Sequence, residues 1–133
     1  MELNEYIDAD MMMIALASAL SRDLRAALGR RERALFCVPG GTTPGPVFDL
    51  LTAVELDWSR VDIVLSDERW VPEDHPRSNA ALVRRHLLQG PAAHARLIPM
   101  WRPGLDPAAA AEALSAELAP LLPLDVALLG MGA

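Results

Sequence analysis

The sequence predicts an α/β fold in which a mainly parallel sheet carries helices on both faces. Three short apolar runs, at Ala34–Val38, Val61–Leu65 and 124–129, are typical of buried strands. Segments with apolar residues at helical spacing separate these runs. Because successive parallel strands need a crossover connection, strands that alternate with helices favour a parallel sheet covered by those helices.

Four helices are predicted from apolar spacing and from residues that favour helix ends. Asp8 or Asp10 caps the first helix, and Gly29 ends it. Ser78 and Asp106 cap the third and fourth helices. The expected helices cover residues 8–28, 44–51, 79–88 and 106–119.

A brief strand is expected at residues 96–99, so helices and strands alternate along the whole chain. We interpret residues 1–133 as a single α/β domain with a Rossmann-like three-layer sandwich. The sequence Gly-Met-Gly that follows the last apolar run resembles the start of another site loop. We therefore expect the sheet to be cut off after a central strand.

The charge composition argues against a nucleic-acid partner. The chain of 133 residues has a formal net charge of −6, and its 12 basic residues are all arginine. An acidic chain without a basic stripe does not suit a polyanion. Each arginine still suits phosphate or carboxylate, because its guanidinium donates parallel hydrogen bonds.

Cysteine use and hydropathy exclude several further classes. Cys37 is the single cysteine, which excludes an internal disulfide framework, and we expect an inert buried thiol and a cytoplasmic location. No cluster has metal-ligand spacing, so no catalytic metal is expected. The apolar run at residues 11–17 follows acidic residues and is shorter than the about 20 residues that span a bilayer, so no membrane segment is expected.

Three loops follow the strand candidates, at residues 39–44, at 66–79 and from 130 onward. Parallel strands would bring these loops to one edge of the sheet. Ligands bind at that edge in open α/β sheets. The topology therefore predicts where the functional site lies.

The loop at residues 66–79 contains two adjacent carboxylates, Asp67 and Glu68. In an extended segment they face opposite ways. We expect one to enter the site and the other to form a structural pair with an arginine. A solvated loop carboxylate or a helix cap remains an alternative for each.

The same loop contains Arg77 and His75. Arg77 stands beside the start of the third helix, which suits a phosphate site. A surface ion pair with Glu73 or Asp74 is the alternative. His75 can donate to a substrate oxygen, or it has only a local partner.

The loop at residues 39–44 places two glycines and two threonines between a strand and a helix. Its backbone N–H groups and hydroxyls can point at an anion, aided by the helix dipole. A tight strand-to-helix turn is the alternative.

Several motifs together resemble those of the 6-phosphogluconolactonases, which belong to a wider group with glucosamine-6-phosphate deaminases and isomerases. The Gly-Gly-Thr-Thr-Pro motif is shared across that group. The more specific motifs are Asp-Glu-Arg-Trp-Val-Pro and His-Pro-Arg-Ser-Asn. In chain order, the matching segments are residues 40–44, 58–65, 67–72, 75–79 and 125–132.

The resemblance implies hydrolysis of 6-phosphoglucono-1,5-lactone to 6-phosphogluconate in the oxidative pentose phosphate pathway, without a cofactor. The implied partner is a phosphorylated sugar lactone, bound by a monomer or a homodimer. Asp67 and Arg77 are the catalytic residues that it implies. It also implies a set of residues that bind the substrate or its phosphate: Gly40, Gly41, Thr42, Thr43, Arg69 and His75.

Two departures from the family pattern matter. Pro39 stands where a small serine or alanine is commoner. The family follows Gly-x-Gly with Asp-Gly-His, whose histidine is its leading acid/base candidate, whereas the present sequence ends at Ala133. We therefore expect residues 1–133 to be the N-terminal half to two-thirds of a complete lactonase domain, and to be nearly inactive alone.

Other functions remain open. A glucosamine-6-phosphate deaminase or isomerase resembles Asp-Glu-Tyr followed by Gly-Leu, so Arg69 and Pro72 favour a lactonase. A non-catalytic sugar-phosphate-binding domain, as in bacterial regulators, has a similar fold. A folding fragment or an assembly partner is a further alternative.

Overall fold

A computed structural model describes the backbone of residues 2–39 and 45–128, with side chains from residue 10 onward. In this part of the chain, helices alternate with short strands, and three short 3-10 segments lie between them. The helices are α1 (Glu2–Arg30), α2 (Gly45–Leu51), α3 (Asn79–His86) and α4 (Pro107–Leu118). The strands are β1 (Ala34–Val38), β2 (Val61–Leu65), β3 (Arg96–Ile98) and β4 (Val126–Ala127).

The strands form a four-stranded sheet in the order β3-β2-β1-β4. All three pairings are parallel, which confirms the predicted α/β class. In the central pairing, Ala34 lies opposite Val61 and Val38 lies opposite Leu65. The two central strands therefore begin and end at the same level.

One face of the sheet carries the main hydrophobic core. Alternate residues of each strand share a face, and those at even positions of β1 and odd positions of β2 are buried. They belong to one cluster with apolar residues of the first three helices. The fully buried members include Leu24, Phe36, Val47, Leu51, Ile63 and Val83.

The opposite face of the sheet is covered less completely. Leu35, Val64 and Ile98 are buried there, and Ala110 is the buried residue of α4. Cys37 is half-buried, and burial raises the pKa of its thiol. A raised pKa disfavours the reactive thiolate, although the side chain is less buried than the sequence predicts.

The first helix is longer than predicted at both ends. It begins at Glu2, six residues before Asp8. It continues through Gly29 to Arg30. Arg60 explains the late ending, because its guanidinium donates to the carbonyl oxygens of Leu28 and Arg31.

The last strand is shorter than predicted. Residues 124–129 are an apolar run, but only Val126–Ala127 is paired as a strand, and residue 129 lies outside the described residues. The Leu35 N–H donates to the Asp125 carboxylate instead of to a backbone carbonyl. A side chain thus replaces one backbone hydrogen bond at the start of β4, where the Asp125 N–H still donates to the Leu35 carbonyl oxygen (3.0 Å).

Arg31 holds this last segment against the end of α1. Its guanidinium donates to the carbonyl oxygens of Leu121 (2.7 Å) and Pro123 (2.8 Å) and to the Asp125 carboxylate. These contacts join residues about 90 positions apart in sequence. A single arginine therefore fixes the chain segment that precedes β4.

Asp62 is a buried carboxylate within β2. Its side chain is 1% exposed. Arg33 donates to both carboxylate oxygens, at 2.8 and 2.7 Å, and Arg96 donates at 3.0 Å. Burial alone would raise the pKa of Asp62, but the hydrogen bonds and positive charges of Arg33 and Arg96 lower it below its ordinary value.

The described helices give no membrane-crossing candidate, since none of them is both long enough and apolar enough.

We expect Asp62→Asn to lower the free energy of unfolding by about 2–3 kcal/mol at neutral pH, because two guanidinium groups lose a buried anion. A carboxyl group with a lowered folded-state pKa contributes stability above its unfolded pKa and loses it as the pH falls through the folded pKa. The difference between wild type and variant in urea unfolding should therefore shrink below about pH 4.

Asp57→Asn is the matched control, because that carboxylate is exposed and lies 4.0 Å from Arg60. It should change stability little at any pH. A difference between wild type and Asp62→Asn that persists unchanged in strong acid contradicts the electrostatic explanation.

Arg31→Met should loosen β4 without unfolding the sheet. The N–H groups of Asp125 and Leu128 donate to carbonyl oxygens of β1, and their hydrogen exchange should speed up in the variant. Amides inside β2 should stay protected. Arg22→Met, at an exposed position of α1, is the control and should change neither set.

Candidate active site

The strand ends place several segments at one edge of the sheet. Ser66 follows β2, and its N–H donates to the carbonyl oxygen of Val38 at the end of β1 (2.8 Å). Leu128 follows β4, and its N–H donates to the carbonyl oxygen of Cys37 (2.9 Å). The chain segments after β1, β2 and β4 thus start beside one another, as the topology predicts.

Two of the three predicted loops lie outside the described residues. One is residues 40–44, which include Gly40, Gly41, Thr42 and Thr43, and the other begins at residue 129. Their roles stay predictions. The loop between β2 and α3 is described in full.

This loop is built from short turns. The N–H of His75 donates to the carbonyl oxygen of Pro72 (2.9 Å), and the N–H of Ser78 donates to that of His75 (3.0 Å). Pro72 and Pro76 restrict the backbone on either side of His75 and exclude a regular element. The segment is therefore an ordered irregular loop that leads directly into α3.

Glu68 connects the start of the loop to α3. Its carboxylate accepts hydrogen bonds from the N–H groups of Asn79 (2.6 Å), Ala80 (2.9 Å) and Arg69 (2.8 Å) and from the Ser78 hydroxyl (3.2 Å). A carboxylate at a helix N-terminus satisfies unpaired N–H groups and complements the helix dipole. Glu68 is therefore a structural carboxylate.

This finding corrects two expectations. The structural partner of Glu68 is the first turn of α3, not an arginine. The N–H groups of Asn79 and Ala80 bond to Glu68, and that of Ala81 bonds to the Ser78 hydroxyl (3.2 Å). The start of α3 is thus occupied by the protein's own acceptors, and it does not offer the free phosphate site expected beside Arg77.

Asn79 also connects the start of α3 to the first residues of the loop. It is buried, and its amide nitrogen donates to the carbonyl oxygen of Asp67 (3.1 Å). Its amide oxygen accepts from the guanidinium of Arg69 (3.2 Å), which also donates to the carbonyl oxygen of Arg77 (3.1 Å). Arg69 thus bridges the two ends of the loop.

Asn79 was not predicted to be a site residue. The one available signal was its place at the end of the His-Pro-Arg-Ser-Asn motif.

Asp67 and Arg77 keep exposed side chains. The Asp67 carboxylate accepts a hydrogen bond from the Ser66 hydroxyl (3.3 Å). His75 uses Nδ1 to accept from the N–H of Arg77 (3.0 Å), which leaves Nε2 for other contacts. The surface ion pair considered for Arg77 does not involve Glu73, whose carboxylate instead lies 3.2 Å from Arg84.

The arrangement offers a carboxylate and a guanidinium to a ligand at the edge of the sheet. Asp67 can accept a proton or bind hydroxyl groups, and Arg77 can bind an anion. The network formed by Glu68, Arg69 and Asn79 ties the backbone beside both of them.

In the part of the chain that the structure describes, no group of three or more His, Cys, Asp or Glu side chains is placed to hold a metal ion.

Comparison with known proteins identifies the family. Residues 7–133 match the family model described as glucosamine-6-phosphate isomerases/6-phosphogluconolactonase. The chain belongs to this family. The loop between β2 and α3 lies within the matched residues.

Curated relatives and a solved structure agree with this assignment. A 6-phosphogluconolactonase of Pseudomonas aeruginosa is 48% identical over 118 residues, which cover 88% of this chain and 50% of the relative. One of Pseudomonas putida is 40% identical over 131 residues, or 98% of this chain and 54% of the relative.

A 6-phosphogluconolactonase crystal structure from Shewanella baltica matches with a TM-score of 0.86 and 39% identity, over 92% of this chain and 53% of that chain. The chain spans about half the length of the curated relatives it matches.

Ser78→Ala should destabilise the chain by about 1 kcal/mol, because the buried hydroxyl caps α3 and also donates to Glu68. Urea unfolding measures the loss. Ser115→Ala is the matched control at an exposed position within α4, where alanine is a better helix former. Equal stability of Ser78→Ala and wild type would show that the cap contributes nothing.

Proposed function

We propose that this chain forms part of an enzyme that hydrolyses 6-phosphoglucono-1,5-lactone to 6-phosphogluconate. The observation that carries the proposal is the different use of two adjacent carboxylates. Glu68 is engaged by four donors at the start of α3, whereas Asp67 is exposed at the carboxyl end of β2. The family membership and the names of the relatives support the choice of substrate.

The proposed chemistry follows from the needs of lactone hydrolysis. Asp67 takes a proton from water while the water oxygen bonds to the lactone carbonyl carbon. Arg77 stabilises the negative charge that develops on the carbonyl oxygen. The bond from that carbon to the ring oxygen then breaks, and the ring oxygen takes the proton that Asp67 had accepted and becomes a hydroxyl.

The phosphate of the substrate is proposed to bind at the loop formed by Gly40, Gly41, Thr42 and Thr43. The occupied start of α3 supports this choice, because its first N–H groups already have acceptors. Arg69 and His75 are proposed to bind the sugar, with Nε2 as the available atom of His75. No metal or cofactor takes part in the proposed reaction.

The cellular context is part of the same proposal. We place the enzyme in the cytoplasm, where a single cysteine needs no partner. We expect a monomer or a homodimer. Residues 1–133 would be one part of the lactonase domain, since the chain spans about half the length of the relatives.

A glucosamine-6-phosphate isomerase or deaminase is not favoured. The relatives described above are named 6-phosphogluconolactonase, although the family includes both activities. Arg69 and Pro72 of the Asp-Glu-Arg-Trp-Val-Pro motif also favour the lactonase.

The test compares residues 1–133 with a chimera that joins them to the part of the Pseudomonas aeruginosa relative that this chain does not cover. We expect the chimera to release acid from the lactone and residues 1–133 alone to be nearly inactive. Ammonia release from glucosamine 6-phosphate would contradict the proposal. Tight sugar-phosphate binding without turnover would favour a binding domain.

Asp67→Asn in the hydrolysing chimera should lower kcat by about 10²–10⁴-fold, the range for loss of a general base. Asp74→Asn removes an exposed carboxylate from the same loop and should leave kcat nearly unchanged. Stopped-flow measurement of acid release gives both values. Full activity of Asp67→Asn would exclude Asp67 as the base.

A further inference from the structure

Two side chains close the loop between β2 and α3 at its base, and we name this pair, Glu68 and Asn79, the base clamp. The Glu68 carboxylate reaches the N–H groups of Asn79 and Ala80, 11 and 12 residues further along the chain. The Asn79 amide reaches back to the carbonyl oxygen of Asp67 and the guanidinium of Arg69. Each member of the base clamp therefore ties the start of the loop to its end.

The base clamp fixes the two residues that flank Glu68 in sequence. Asp67 is held through its main-chain oxygen. Arg69 is held through its N–H, which donates to Glu68, and through its guanidinium, which donates to Asn79. None of these contacts uses the Asp67 carboxylate. The base clamp therefore sets the place of that carboxylate while leaving it available.

We propose that Glu68 is a positioning residue for lactone hydrolysis, acting through Asp67 and Arg69 without touching the substrate. This inference rests on the proposed function. A carboxylate has about four lone-pair sites, and Glu68 accepts from four donors. Its capacity for hydrogen bonds is thus filled within the protein.

The four donors also require a carboxylate at position 68. One oxygen accepts from the N–H groups of Arg69 and Asn79, and the other accepts from the Ala80 N–H and the Ser78 hydroxyl. Glutamine has one acceptor oxygen, and its NH₂ group would face donors. Glu68→Gln therefore removes the acceptor of two of the four hydrogen bonds without changing the size of the side chain.

The test compares Glu68→Gln with Glu73→Gln. Both variants are made in whichever protein hydrolyses the lactone, the chimera or residues 1–133 alone. Both variants remove one carboxylate from the same loop, but Glu73 forms a surface ion pair with Arg84. We expect Glu68→Gln to lower kcat/KM by about 10²-fold, the size of effect that a displacement of about 1 Å produces. Glu73→Gln should leave kcat/KM nearly unchanged.

KM is the deciding quantity. Loss of folded protein lowers the measured kcat but leaves KM unchanged, whereas misplaced binding groups raise KM. We therefore expect a several-fold higher KM for Glu68→Gln, with urea unfolding of each variant giving the folded fraction.

Asn79→Ala is a second variant that keeps the helix start, because its backbone N–H remains and alanine favours helices. It breaks the ties to Asp67 and Arg69, so it should raise KM as well. If Glu68→Gln does not fold, the KM of Asn79→Ala tests the positioning role in its place.

An unchanged KM in the folded variants of a hydrolysing protein overturns the positioning role and leaves the proposed function standing. A wild type that hydrolyses no lactone in either form overturns both.

Discussion

The parallel pairing of β1 with β2 sets the geometry on which the site depends. The two strands are in register from Ala34 opposite Val61 to Val38 opposite Leu65, so they end at one level. A slip of β2 by one position would exchange its two faces and turn the Asp62 carboxylate into the hydrophobic core, so the register is strongly specified. The loop that carries Asp67 starts where this register ends.

The sequence predicted elements best where burial alone decides the structure. The bounds of β1 and β2 were predicted correctly, because each is a short, mainly apolar run. Arg33 and Pro39 flank the first, and Arg60 and Ser66 flank the second. The Ser78 and Asp106 caps were also correct, since capping is a local interaction. At the site, a helix cap was one alternative for Glu68. Its carboxylate does accept from the first N–H groups of α3, although these lie 11 and 12 residues further along the chain.

Prediction failed where a contact joins distant parts of the chain. Asp62 was read as part of an apolar strand, yet its partners lie 29 and 34 residues away. The end of α1 and the short β4 depend on Arg60 and Asp125, whose partners lie 32 and 90 residues away. The role of Asn79 depends on contacts with residues 10 and 12 positions earlier. Neither hydropathy nor spacing contains these pairings.

The base clamp also separates the loop into parts that can change independently. Its contacts involve residues up to 69 and from 78 onward, and Arg69 also donates to the carbonyl oxygen of Arg77. Residues 70–76 therefore form a segment whose two anchors are fixed. Lengthening a closed loop adds only a small entropic cost. Exchange of this segment is thus a route by which the surface around Asp67 can change while the backbone of Asp67 stays in place.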